Sequence, residues 1–370
     1  MQYIHPLGEH YFAAANTYNG FESLFEEIFS RDKSDRLYIL KGGPGVGKST
    51  FMKKAAAAFE KDGQEVTYYR CSSDPDSLDG IFVRDRKISI VDGTRPHAVE
   101  ANLAGVYEEI VDLGKAWDTN GLSQISRELS HISSQKSACY KRAYKNLDAC
   151  KKARDILYSL YDGCLLTEKL SKSAARLAKS TVAAGERFCR KNVHLNAISC
   201  KGKIRLCTFE DTASLCIFVK EPYYNSLLAH KFMFLLLEAA QKNKAEVVVS
   251  LSPFDTSVID GLYFPKNGVS VTVYSDELAA KCDREGKKCK IVNTARFVDV
   301  SRLSPSGKER KFYEKSAKAF EEKALSELKK AGALHALLEE KYSFFTDYAV
   351  VESITESCLA KLTDSRMPRQ

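Results

Sequence analysis

Short runs of β-branched and aromatic residues alternate with stretches whose apolar residues return every three or four positions, and this alternation occurs twice. In the first half, RLYILK (36–41), EVTYYRC (65–71) and ISIVDG (88–93) read as strands, with helices expected over 51–61 and 106–115. From about 122 to 190 the spacing turns helical. Ala143, Leu147, Cys150, Ala153, Leu157 and Leu160 then fall on one face, and Asp162-Gly163 marks a turn. The second half begins near His194, with strands expected over 215–219, 245–250 and 269–274 and helices over 308–342 and 346–362. Strands alternating with helices predict a parallel sheet with crossover helices.

The two halves are also similar in letters. At a fixed offset of 181, Phe51-Met52 meets Phe232-Met233, Asp74 meets Asp255, and Asp79-Gly80 meets Asp260-Gly261. Ile110-Val111 meets Ile291-Val292, Asp118 meets Asp299, and Ala143, Leu147 and Tyr161 meet Ala324, Leu328 and Tyr342. Self-similarity without net insertion predicts a duplication. The expected fold class is therefore α/β, as two tandem parallel-sheet domains, each followed by a helical hairpin. Their boundaries are expected at 1–118, 119–193, 194–300 and 301–370. A chain of 370 residues exceeds what one core holds, which agrees.

Charge changes this picture in one place. Residues 119–193 carry 15 Lys+Arg against 6 Asp+Glu, an excess of 9, whereas 301–370 carry 13 against 11. The first helical arm thus accounts for the formal net charge of +8, and opens a nucleic-acid partner as a reading beside that of a solvated helical surface, which is preferred. Eleven cysteines lack paired spacing and no signal sequence is read, so reduced thiols in the cytoplasm are expected. The longest apolar run, 232–240, is too short to cross a bilayer, and no membrane partner is expected.

The chemistry concentrates in Gly42-Gly43-Pro44-Gly45-Val46-Gly47-Lys48-Ser49-Thr50, between an expected strand and an expected helix. This matches G-x-x-x-x-G-K-[ST], a loop whose backbone amides cradle phosphates at a helix N-terminus. Lys48 would reach the β- and γ-phosphates, Ser49 would ligate Mg²⁺, and Thr50 would bond the α-phosphate. The metal's carboxylate ligand is expected from Asp92, at the end of ISIVD; its counterpart at the offset is Val273. Gly93 stands where many hydrolysing ATPases place a water-activating glutamate, which argues against a fast motor-type enzyme and leaves room for a kinase, a slow switch or hydrolysis assisted by another carboxylate. Arg95 and His97 follow as candidates for contacts to transferred phosphate, and the second half has Asp276 and Leu278 in their places. Asp74, Asp76 and Asp79 are expected in a loop beyond EVTYYRC; persistence of two of them as Asp255 and Asp260 favours a turn role. His10 and His194 are expected to open equivalent segments. After Lys220, the second half reads EPYYNSLLAHK without a glycine, so its site is expected to be dead, Lys231 mimicking Lys48 only by accident.

The strings LKGGPGVGKSTFMKK, CSSDPDSLDG, VDGTRPH and LGKAWD resemble a poorly characterised bacterial family of duplicated P-loop proteins, described as ATPases. The resemblance runs through nearly the whole chain and implies ATP binding. It departs in the second half, where the family often keeps a P-loop of its own. The leading expectation is a Mg²⁺-dependent, slow ATPase with one site; a small-molecule or nucleotide kinase and a nucleotide-switched nucleic-acid binder are the alternatives. No Asn-Lys-x-Asp string reads guanine, so ATP is the default.

Overall fold

The structure, a computed structural model, describes residues 1–4, 8–96, 99–221 and 227–363. In chain order the first half contains β1 (Gln2–Ile4), β2 (Glu9–Phe12), β3 (Ala14–Thr17), β4 (Gly20–Ser23), α1 (Phe25–Ile28), β5 (Arg36–Lys41), α2 (Lys48–Lys61), β6 (Val66–Arg70), β7 (Leu78–Val83), β8 (Ile88–Asp92) and β9 (Glu108–Asp112). A short 3₁₀ turn (Leu113–Ala116) then leads to α3 (Thr119–Gln124), α4 (Ser126–Ser159) and α5 (Thr167–Thr181). The second half repeats the order. It has β10 (Cys189–Val193), β11 (Asn196–Ser199), β12 (Gly202–Leu206), α6 (Thr208–Thr212), β13 (Leu215–Lys220), α7 (Leu227–Lys242), β14 (Glu246–Leu251), β15 (Ile259–Phe264) and β16 (Val269–Val273). It closes with α8 (Asp276–Arg284), β17 (Lys288–Asn293), α9 (Val300–Leu303), α10 (Gly307–Phe344) and α11 (Tyr348–Thr363).

Two six-stranded sheets result, ordered β2-β6-β7-β8-β5-β9 and β10-β14-β15-β16-β13-β17, which is one topology twice. The sheets are mixed, not parallel as expected. β7 runs antiparallel to both β6 and β8, and β15 to both β14 and β16. The links around β7, residues 71–77 and 84–87, are too short for the crossover a parallel neighbour needs. Asp79 and Gly80 accordingly lie in strand β7, not in a loop.

The expected helix over 106–115 is replaced by β9, which pairs parallel to β5 at the sheet edge. Val106, Ile110 and Val111 carry helical spacing, but edge pairing and burial of Glu108, which accepts from the Leu103 amide at 2.7 Å, override it. The second sheet also begins earlier than 194, because β10 occupies Cys189–Val193 and pairs parallel to β14.

The helical hairpins are not packed as hairpins. α4 lies antiparallel to α10 through Ala143, Leu147, Cys150 and Ala153 on one side and Ala317, Ala324 and Leu328 on the other. Ion pairs Lys341–Glu128 (2.9 Å), Arg142–Glu327 (2.7 Å) and Arg154–Glu321 (3.1 Å) mark its direction. The short helices then cross over: α5 packs Leu170, Ala174 and Ala178 into the second half's core, and α11 packs Val351, Cys358 and Leu362 into the first half's. Each crossing is pinned by the backbone. Asp118 donates to Phe345 and Asp347 to Ala116, while Leu166 donates to Phe297 and Asp299 to Cys164, all at 2.8 Å. A small-residue stripe lets α4 and α10 approach closely, and the α5 and α11 faces find larger apolar partners across the molecule. No described helix is long and apolar enough to cross a membrane.

Candidate functional site

β5 is a central strand buried on both faces, and it delivers the chain at Lys41 into the glycine-rich loop. Gly42 (φ 146°), Gly45 (φ 73°) and Gly47 (φ 95°) all hold left-handed backbone, which L side chains rarely adopt. Val46 is fully buried and anchors the loop among Phe51, Leu113 and Val111. Gly47 caps α2, whose first residues are Lys48, Ser49 and Thr50; Pro44 is half-buried on the loop and Thr50 is exposed.

Of the side chains expected in the site, Lys48 and Asp92 come together. Lys48 Nζ donates to the carbonyls of Gly42 (2.7 Å) and Gly43 (2.8 Å) and stands 3.6 Å from Asp92 Oδ2. Asp92 ends β8 beside β5, and its Oδ1 accepts from the amide (2.9 Å) and hydroxyl (2.6 Å) of Thr94. Burial raises the Asp92 carboxyl above its ordinary range, opposed by Lys48 and Thr94. Ser49 Oγ accepts from the Leu78 amide at 3.1 Å. Arg95 is exposed on the turn beyond Asp92, and His97 lies outside the described residues. Among the described residues no group of three or more His, Cys, Asp or Glu side chains is arranged to hold a metal. Ser49 and Asp92 can supply two ligands, and an ion here needs the rest from phosphate and water, as Mg²⁺ sites commonly do. A loop of this conformation can turn its amides toward a polyphosphate.

What covers the loop has no local signature in the chain. Trp117 stands over Gly43, where an added Cβ would meet its ring at 3.0 Å, and Tyr342 of α10 packs on Trp117 with ring centroids 5.6 Å apart. A Cβ on Gly45 would strike the Glu339 carbonyl oxygen at 2.6 Å, so α10 runs directly across the loop. Tyr348 of α11 donates to the Gly45 carbonyl at 2.9 Å. His335 Nε2 is 3.6 Å from Glu339 Oε1, and its Nδ1 is 3.4 Å from Lys136 Nζ on α4. Burial, with Lys136 beside it, holds the His335 imidazole down to about 4. Burial and Asp74 raise Glu339, against Lys48 and Lys136. The one signal for these residues is the offset, which sets Glu339 against Tyr158, His335 against Arg154 and Lys136 against Ala317.

Asp74 accepts from Ser77 Oγ (3.0 Å) and pairs with Lys201 of the second half (2.8 Å); burial would raise it, but these partners hold it below the ordinary carboxylate range. Its turn role thus joins the halves. His10 and His194 are not equivalent: His10 stacks on Tyr68 within β2, whereas His194 follows β10 and exchanges backbone hydrogen bonds with Phe12.

The same place in the second half is built differently. Residues 222–226 are outside the described residues. The position matching Lys48 is Ala229, whose amide donates to Glu221 Oε1 at 2.6 Å, and Lys231 sits two residues further along α7. Tyr158 and Arg154 lie where Glu339 and His335 face the first loop; Tyr158 is pushed up to about 12, mainly by burial, and Arg154 stacks on Phe254 at 4.1 Å. Comparison of the chain with protein-family models, curated proteins and solved structures found no match.

Proposed function

We propose that the chain is a Mg²⁺-dependent, ATP-binding P-loop protein, a slow ATPase working in the cytoplasm with one site, in the first half. The second half is then a duplicated domain that has given up nucleotide and presents α10 and α11 to the first half's loop. The observation that carries this reading is the joint placement of three left-handed glycines, Lys48 on the loop carbonyls, and Asp92 3.6 Å from Lys48. Such a nest of amides at a helix N-terminus binds polyanions. The resemblance to duplicated P-loop ATPases points the same way. Calorimetric titration with Mg²⁺-ATP, with phosphate release followed in parallel, tests it: one nucleotide per chain with slow release is expected. Two nucleotides per chain would remove the single-site claim, and none would remove the function.

The nucleic-acid reading loses weight because Arg142, Lys151 and Lys152 of the basic arm are paired with Glu327, Asp155 and Asp148.

A further inference from the structure

We propose that Glu339, on the second half's long helix α10, is the carboxylate that takes the proton from the water attacking the γ-phosphorus at the first half's loop. The inference rests on the ATPase reading and supplies what that reading lacks. Hydrolysis needs a base for water, and the position after Asp92 cannot provide one. A Cβ on Gly93 would lie 2.3 Å from Ile39 Cγ2, inside the sheet, so no side chain is tolerated there.

Of the carboxylates around the loop, two are otherwise committed. Asp74 is held by Lys201 and Ser77. Asp79 is almost fully buried in β7 and persists as Asp260 in the half without a glycine loop, where Asp260 bonds Ser250 and Asn196 as part of the core. Glu339 differs on both counts. Its backbone touches the Gly45 position and its side chain is 47% exposed. The charged and titratable groups that face it are Lys48 from α2, Asp74 from the link between β6 and β7, Lys136 from α4 and His335 from its own helix. Burial and Asp74 raise its proton affinity, which suits a base working near neutrality. The second half offers an internal control: where the glycine loop is missing, the three positions are Tyr158, Arg154 and Ala317, and the carboxylate is gone.

In the step, the water oxygen bonds to the γ-phosphorus while the bond from that phosphorus to the bridging oxygen breaks, its electron pair leaving on ADP. The water proton passes to a Glu339 carboxylate oxygen and afterwards to the released phosphate. His335, neutral and beside Glu339, orients the carboxylate.

The test uses the full chain as wild type, Glu339→Gln and Glu339→Asp. Phosphate release is measured at saturating Mg²⁺-ATP, and the affinity for the β,γ-imido analogue is measured by calorimetry. Glu339→Gln is expected to lower turnover by about a hundredfold or more. Its analogue affinity should stay near that of wild type, and the nucleotide retained on it should be ATP, where wild type retains ADP. Glu339→Asp, which keeps a carboxylate, should hold more turnover than Gln, and the rise of rate with pH expected of wild type should vanish in Gln. Turnover in Gln close to wild type, equal loss in both variants, or a loss of analogue binding that accounts for the loss of turnover overturns the proposal. If wild type binds no nucleotide, the ATPase reading falls and this one with it; if it binds while Gln turns over normally, only this one falls.

Discussion

Two helix N-termini stand at the same place in two sheets of one topology, and they are satisfied in opposite ways. At α2 the chain arrives through three left-handed glycines, Gly47 caps with no side-chain acceptor, and Lys48 is turned back onto the loop carbonyls. At α7 a carboxylate of the protein itself, Glu221, takes the amide of Ala229. A helix N-terminus carries partial positive charge that an anion neutralises. On the proposed reading the first half keeps that place for a phosphate, whereas the second fills it from its own chain. The two long helices follow suit: the end of α10 over the first loop carries Glu339 and His335, and the end of α4 over the second carries Tyr158 and Arg154.

The largest expected effect separates the two lysines. Lys48→Ala should lower phosphate release by roughly 10²–10³, the loss typical of removing one charge-stabilising donor from a phosphoryl or acyl transfer site. Lys231→Ala should leave release unchanged, because Lys231 is two residues out of register. Equal losses in the two variants would erase the distinction between the halves.

The junction between the halves gives the next effect. His194 is fully buried, its Nδ1 bonded to the Leu251 carbonyl at 2.8 Å, and burial holds its imidazole down to about 4. Its unfolded-state value is about 6.5. Between these values the unfolded chain binds the proton and the native chain does not, so this contribution is complete above about pH 6.5 and is lost as pH falls toward 4. The size is about 3 kcal/mol, because a tenfold difference in proton affinity is worth about 1.4 kcal/mol. Urea denaturation at pH 7.5 and 4.5 should show it, and His194→Gln should flatten the difference while leaving the carboxylate contribution in place. An unchanged pH slope in that variant sinks the assignment.

A smaller effect reports how tightly the second half's helix rests on the first half's loop. Gly45→Ala puts a Cβ at 2.6 Å from the Glu339 carbonyl and forces alanine into φ 73°. It should cost about 1–3 kcal/mol in thermal or urea denaturation. A stability equal to wild type would mean that α10 moves off the loop freely.

How much of this was legible follows from the range of the interactions. The strand RLYILK and the glycine run between a strand and a helix are local signals, and both map onto observed elements. β7 was hidden because its residues read as a turn, and only pairing on both sides makes LDGIFV a strand. β9 was hidden because edge pairing overrode a helical spacing. The apolar stripe of α4 was visible, but which helix it meets was not, since small residues at helical spacing fit any similar stripe. Trp117, His335 and Glu339 were illegible as site residues because the covering of the loop is set by a helix that begins more than 250 residues after it.

The smallest effect tests whether the second half's site was closed by Glu221 alone or also by the loss of its glycines. Removing an acceptor from a helix N-terminus costs about 1 kcal/mol, so Glu221→Ala should lower the stability of the α7 region by that amount, measured by hydrogen exchange of its first-turn amides. It frees the Ala229 amide and the positive end of α7, but it restores no left-handed residue ahead of them. Backbone amides cannot wrap a phosphate without such residues. Calorimetry on Glu221→Ala should therefore still count one nucleotide per chain. A second nucleotide would mean that one carboxylate, and not the missing glycines, keeps the two halves apart.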